Sequence, residues 1–152
     1  MTPRMPNPAT TVPNALPALY ALGAAAKQGN VPTRTLDLVY LRASQINGCS
    51  LCVEMHARDL RKAGESDERL FAVAAWREAP YFSAAERAAL ALTEEATRIA
   101  DRGDAVSDAC WQEAARHYDE AALGALVLNI ALINFWNRVN VSTRQLAGSY
   151  KQ

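Results

Sequence analysis

The sequence predicts an all-α fold. Three observations carry this: apolar residues recur at helical spacing in the long segments, nothing alternates as a half-buried strand does, and serine or aspartate stands repeatedly where a helix needs its first cap. With 152 residues, half of them hydrophobic, the chain can build one compact core and falls short of two. About six to seven helices are expected. They belong to one domain over residues 16–152, preceded by an extended proline-rich arm over residues 1–15.

The arm is read from composition. Five of the seven prolines (Pro3, Pro6, Pro8, Pro13, Pro17) fall in the first seventeen residues, which resists regular structure, and such arms often pack on a neighbouring subunit. Pro17 suits the first position of a helix running to about Lys27, stopped by Gly29. From Thr33 to Ile46, residues Leu36, Val39, Tyr40, Ala43 and Ile46 form one apolar stripe, and Asn47-Gly48 breaks it. The next helix, Cys49 to Ala63, ends at Gly64 with Arg58, Arg61 and Lys62 in its last turns. Ser66 starts a helix through Trp76, and Ser83 with Glu86 has capping-box spacing for one reaching Ile99 or Ala100. Ser107 opens a short helix through Tyr118. Asp119 caps a long apolar helix from Glu120 to about Val141.

Lys plus Arg and Asp plus Glu each total 16, so the formal charge is zero and no basic stripe invites nucleic acid or an anionic membrane. Near-neutrality gives little protection against self-association, so a homo-oligomer is expected. Residues 1–16 hold no apolar run of signal length and no stretch is expected to span a membrane, which points to the cytoplasm. In a reducing cytosol three cysteines do not form a structural framework. A close pair such as Cys49 and Cys52 then reads as redox-active or metal-binding.

In a helix, Cys49, Cys52 and His56 stand at i, i+3 and i+7 and share a face. That set meets the needs of a dithiol peroxidase: a thiolate to attack the O–O bond, a second thiol to trap the sulfenic acid, and a nearby base. A helix N-terminus lowers the cysteine pKa through its partial positive charge and free N–H groups. Other readings stay open at this point: a structural pair, or a zinc site needing a fourth ligand from Cys110 or His117 in a distant segment. Asp37, twelve residues before Cys49, could orient His56 or pass a proton through water, though a lone helix acid is usually just solvated. Cys110 reads as a core filler and His117 as a helix-end surface residue. Trp136, Asn137 and Asn140 read as lining a pocket or a subunit contact, with the contact favoured.

The run from Leu41 to His56, LRASQINGCSLCVEMH, resembles the core motif of the AhpD-like alkylhydroperoxidase branch of the carboxymuconolactone decarboxylase family. The likeness continues through Arg61–Glu65, Ala75–Pro80, Phe82–Leu90 and Ile133–Arg138, covering nearly all of the chain after the arm. It implies an all-α fold assembled as homotrimers or as hexamers built from dimers, with the cysteine helix buried near a subunit interface. It also implies roles: Cys52 as the peroxide-attacking thiolate, Cys49 as the resolving thiol, His56 taking the Cys52 proton, and an acid twelve residues before the first cysteine completing a water-mediated relay. Here that acid is Asp37, where the family usually has Glu, and Leu51 stands where well-studied members carry a His between the cysteines. The decarboxylase branch lacks the cysteine pair.

These readings converge on a thiol-dependent peroxidase acting on small hydroperoxides with no cofactor, reduced by an external thiol such as a lipoylated protein. A general disulfide reductase or redox relay, a zinc-binding or oxidation-sensing protein, and a non-catalytic scaffold are the rivals.

Overall fold

The computed structural model describes residues 1–149. Eight α-helices follow in order: α1 (Pro8–Thr11), α2 (Ala15–Ala26), α3 (Thr33–Asn47), α4 (Ser50–Lys62), α5 (Asp67–Ala72), α6 (Ala84–Thr97), α7 (Asp108–Ala115) and α8 (Glu120–Thr143). Two 3-10 turns, Val73–Ala75 and Ile99–Asp101, follow α5 and α6, and no strand occurs among the described residues. The all-α expectation holds.

Most boundaries follow from local chemistry. At α6 the Ser83 hydroxyl accepts from the Glu86 amide at 3.2 Å while the Glu86 carboxylate accepts from the Ser83 amide at 2.8 Å, a complete capping box. Ser107 and Asp119 cap α7 and α8 in the same single-sided way as Ser66 caps α5. Gly48 ends α3 at φ +66°, a backbone that glycine adopts without strain.

Three elements differ from the sequence reading. The helix expected from Ser66 through Trp76 ends at Ala72 and tightens into a 3-10 turn, which brings Trp76 into the core with its indole N–H donating to Glu94 Oε1 at 3.0 Å. Similarly, α7 stops at Ala115, short of Tyr118, whose side chain turns inward and donates to the Ala85 carbonyl at 2.8 Å. In both cases burying one large amphipathic ring outweighs another turn of helix. The arm, expected to be extended, contains the one-turn helix α1 and lies on its own chain: Arg4 N–H donates to Thr143 O at 2.8 Å and Gln145 Nε2 to Met5 O at 3.0 Å.

The core has two parts that share α3. On one side Val39, Tyr40 and Ala43 of α3 pack with Leu92 of α6 and Leu126 and Ile130 of α8. On the other, Leu38 and Leu41 meet Leu60 of α4, Leu70, Val73 and Leu90. Thus α3 is buried on two faces, wider than the single stripe read from its sequence. Glycine at 29 allows the α2–α3 connection to press on α8, since a Cβ there would meet Ala121 O and Ala125 Cβ at 2.5 Å. Helix α8 is long and apolar enough to cross a membrane, contrary to the expectation that no stretch approaches a span. Half of it is buried in the bundle, as suits a core helix, and its inner face carries Asn129, Asn134, Asn137 and Asn140.

One buried ion cluster ties the two core parts together. Glu94 is buried and receives Arg42 at 2.6 Å, the Trp76 indole and Arg77. Glu94→Ala is expected to cost about 3 kcal/mol, because it strands a poorly exposed guanidinium and an indole N–H. Ser83→Ala should cost about 1 kcal/mol. Urea denaturation of both variants checks the ranking.

Candidate active site

The cysteine pair sits where α3 hands over to α4. Gly48 turns the chain, the Cys49 amide donates back to Ser44 O at 3.0 Å, and Cys49 becomes the N-cap of α4 in extended conformation. Cys49 therefore stands just outside the helix, not within its first turn as read from spacing, and Cys52 is the third helical residue. Capping folds the Cys49 side chain over the first turn, so its sulfur accepts from the Cys52 amide at 3.4 Å. The two sulfurs are joined as a disulfide with the Cα atoms 5.3 Å apart. Both residues are only 1% exposed.

The joint is locked to α8 by amides. Asn47 Nδ2 donates to Asn134 Oδ1 and Asn137 Oδ1, each at 2.9 Å, and Asn137 Nδ2 donates to Ser44 Oγ at 3.0 Å. Asn140, one turn on, donates from Nδ2 to Cys52 Sγ at 3.3 Å, and its Oδ1 accepts from Asn7 Nδ2 at 2.9 Å. The sequence reads Asn137 and Asn140 as lining a pocket or, more readily, a subunit contact. Both are instead consumed inside the subunit. A signal was present in the sequence, since both lie at helical spacing from Ile130 and Ile133 on the inner face of α8.

His56 lies on α4 one turn beyond Cys52, buried, with its ring packed on Tyr40 at 5.1 Å between centroids. Neither ring nitrogen has a hydrogen-bond partner. Burial, with a smaller push from the Lys27 charge, lowers its pKa to about 4, so the imidazole is neutral at physiological pH. Asp37 does not hydrogen-bond to His56. It lies on α3, half-buried, where desolvation and then the Asp59 charge raise its pKa to about 6 against the opposing pull of Lys27. The same Lys27 acts on His56, and the Asp37 charge acts on Tyr40, the ring that packs on His56. Of the four residues singled out in the sequence, Cys49 and Cys52 are joined directly, His56 follows one turn on along α4, and Asp37 makes no hydrogen bond to His56.

The alternative zinc ligands are elsewhere. Cys110 on α7 lies beside Glu95, and burial pushes its thiol up to about 11, while His117 meets Glu113 at 3.3 Å. No three His, Cys, Asp or Glu side chains come together to hold a metal ion among the described residues. Two open grooves, one between α4 and Phe71 and one between Pro32 and Tyr118, do not include the cysteines or His56. Both ends of the described chain close over the start of α4: the arm through Asn7, and the segment after α8 through Ala147 N–H to Ser50 Oγ at 3.3 Å and Gly148 N–H to Glu54 Oε2 at 2.6 Å.

Fold and site define an all-helical protein with a buried dithiol/disulfide pair at a helix N-terminus. The carboxymuconolactone decarboxylase family model matches residues 13–95, and the chain belongs to that family. It is 39% identical over 123 residues to YdfG of Bacillus subtilis (strain 168), an uncharacterized protein, across 81% of this chain and 82% of that one. A crystal structure of an Agrobacterium tumefaciens protein of unknown function, suggested to be the antioxidant defence protein AhpD, superposes with a TM-score of 0.88 at 32% identity, covering 98% of this chain and all of that one. This likeness places the chain in the AhpD-like branch. The debrominase Bmp8 in complex with 2,3,4-tribromopyrrole shares the fold with a TM-score of 0.77 at 20% identity, over 92% of this chain and 74% of that one.

Opposed titrations give a pH signature. Asp37, with a folded pKa raised from 3.8 to about 6, contributes stability below about pH 4 that is lost as pH rises through 6. His56, lowered from 6.5 to about 4, contributes stability above pH 6.5 that is lost as pH falls through 4. Asp37→Asn is therefore expected to be more stable than wild type at pH 7.5, with the advantage gone at pH 3.5. Denaturant midpoints at the two pH values check this.

Proposed function

We propose that the chain is a thiol-dependent peroxidase for small hydroperoxides that cycles Cys49 and Cys52 between dithiol and disulfide. The observation that carries the reading is the buried disulfide at a helix N-terminus beside a neutral, unpartnered imidazole. In the reduced state His56 takes the Cys52 proton. The thiolate attacks the terminal oxygen of ROOH, the O–O bond breaks, and Cys52 becomes a sulfenic acid while the alkoxide leaves as ROH with the proton His56 held. The Cys49 sulfur then displaces the sulfenic oxygen as water and forms the disulfide, and an external dithiol, for which a lipoylated protein is the proposed donor, restores both thiols. A desolvated imidazolium is a strong acid, so the proton passes readily to the alkoxide. Asp37, half-protonated near pH 6, is the proposed reservoir for His56 through water.

Burial supports this substrate class over the rival disulfide reductase. Sulfurs 1% exposed favour slender reactants, a small hydroperoxide as oxidant and a dithiol on a long arm as reductant, over a disulfide set in another protein's surface. The two readings separate on the ratio of turnover with hydroperoxide to turnover with a model disulfide. Cytoplasmic placement, where thiol reductants are abundant, belongs to the same proposal.

Thiol titration before and after one equivalent of hydroperoxide is the test. Two thiols should vanish together in the wild type, sulfenic acid should be trapped at Cys52 in Cys49→Ser, and Cys52→Ser should lose turnover. Reduced thiols that ignore peroxide would sink the proposal.

A homotrimer, or a homohexamer built from dimers, is proposed as the assembly. It is supported by the open apolar faces of α2, where Tyr20 is 66% exposed, and of α8, where Val127, Leu128 and Phe135 face outward. Phe135→Glu should lower the mass measured by light scattering; an unchanged wild-type monomer would reject the assembly.

A further inference from the structure

The N-terminal arm ends at the sulfur that the proposed chemistry uses. Asn7 caps α1, its Oδ1 accepting from the Ala9 amide at 3.0 Å, and this fixes which way its side-chain amide faces. Its Nδ2 then donates to Asn140 Oδ1 at 2.9 Å, which fixes the Asn140 amide in turn and leaves Asn140 Nδ2 aimed at Cys52 Sγ at 3.3 Å. Arg4, through its backbone N–H to Thr143 O at 2.8 Å and its guanidinium to Ser142 O at 2.9 Å, pins the arm to the end of α8. The relay from the Ala9 amide through Asn7 and Asn140 points one way, from the arm to the sulfur.

The two sulfurs are supplied differently. Cys49 Sγ lies at the helix N-terminus and accepts from the Cys52 backbone N–H, whereas Cys52 Sγ receives the Asn140 side chain. Helix position alone therefore favours the thiolate at Cys49. A donor to a disulfide sulfur is weak, but the same N–H meeting a thiolate is charge-assisted and roughly twice as strong.

We infer that Asn140 is a catalytic residue that stabilises the Cys52 thiolate by direct hydrogen bonding, and that Asn7 of the arm is the positioning residue that holds the Asn140 amide in the donating orientation. This rests on the reading of Cys52 as the attacking thiol. The arm thereby decides which of two neighbouring cysteines is the acidic one.

The experiment follows the pH dependence of iodoacetamide labelling in Cys49→Ser protein with and without Asn140→Asp, Asn140→Ala or Asn7→Ala, with far-UV circular dichroism as the fold control. Removing the donor should raise the apparent Cys52 pKa by about one unit, a tenfold loss of thiolate at neutral pH, with the isosteric Asn140→Asp shifting most and Asn7→Ala least. In reduced chains that keep both cysteines, limited labelling read by peptide mass should move from Cys52 toward Cys49 in the same three variants. An unmoved Cys52 pKa in folded Asn140→Asp or Asn140→Ala overturns the inference, and an unmoved value in Asn7→Ala alone overturns the share assigned to the arm. Peroxide turnover is measured in parallel on the wild type. A shifted pKa without wild-type turnover leaves this inference standing and rejects the peroxidase; turnover with an unmoved pKa does the reverse.

Discussion

Four asparagines on the inner face of α8 must be satisfied, and the bundle is arranged around that requirement. A buried amide without partners costs about 1–3 kcal/mol, so a long apolar helix carrying four of them can sit in few registers. Each is satisfied, three of them on α3. Asn129 meets Tyr40 of α3 and the Ala26 carbonyl at the end of α2; Asn134 reaches Thr97 of α6 and Asn47; Asn137 takes Asn47 and Ser44; Asn140 takes Asn7 and Cys52. Apolar packing of Leu126 and Ile130 drives burial but tolerates sliding, because methyl contacts have no direction. The amides supply the direction.

That register places the redox pair. Asn47 immediately precedes the Gly48 turn, so anchoring it to Asn134 and Asn137 fixes where α4 begins and hence where both sulfurs lie. The site that results uses neutral groups throughout its immediate shell: an unprotonated imidazole, a tyrosine ring, an amide and a helix N-terminus. In so dry a place a fixed cation beside the thiols would itself carry a desolvation cost, whereas dipoles can stabilise a thiolate with little. The charged neighbours, Lys27 and Asp37, act on His56 or Tyr40 from beyond that shell.

Much of this was legible in the sequence, and the parts that were not share a cause. Caps at Ser83, Ser107 and Asp119 and the stop at Gly48 are local chemistry, and they fell where spacing put them. The face shared by Cys52 and His56 follows from helical geometry alone. By contrast, the early ends of α5 and α7 depend on where Trp76 and Tyr118 find partners, Glu94 and Ala85, which lie in another helix. The length that makes α8 resemble a membrane span, and the asparagines that show it to be a core helix, are both visible in sequence; their partners are not. Spacing places Asp37 on α3, but whether its short carboxylate touches His56 depends on the angle between α3 and α4, which periodicity does not hold.

The arm is the clearest case of information that periodicity cannot hold. Its prolines argue against a long helix, and its composition describes a segment with no core of its own. Yet Asn7 and Cys52 are joined through a single residue near the far end of the chain, a closure that spans almost the whole sequence. Such a contact forms only after α8 has docked in register, because its acceptor and donor are both on Asn140. The arm and the surroundings of the Cys52 sulfur are therefore tied through one side chain, and that tie needs both ends of the fold in place.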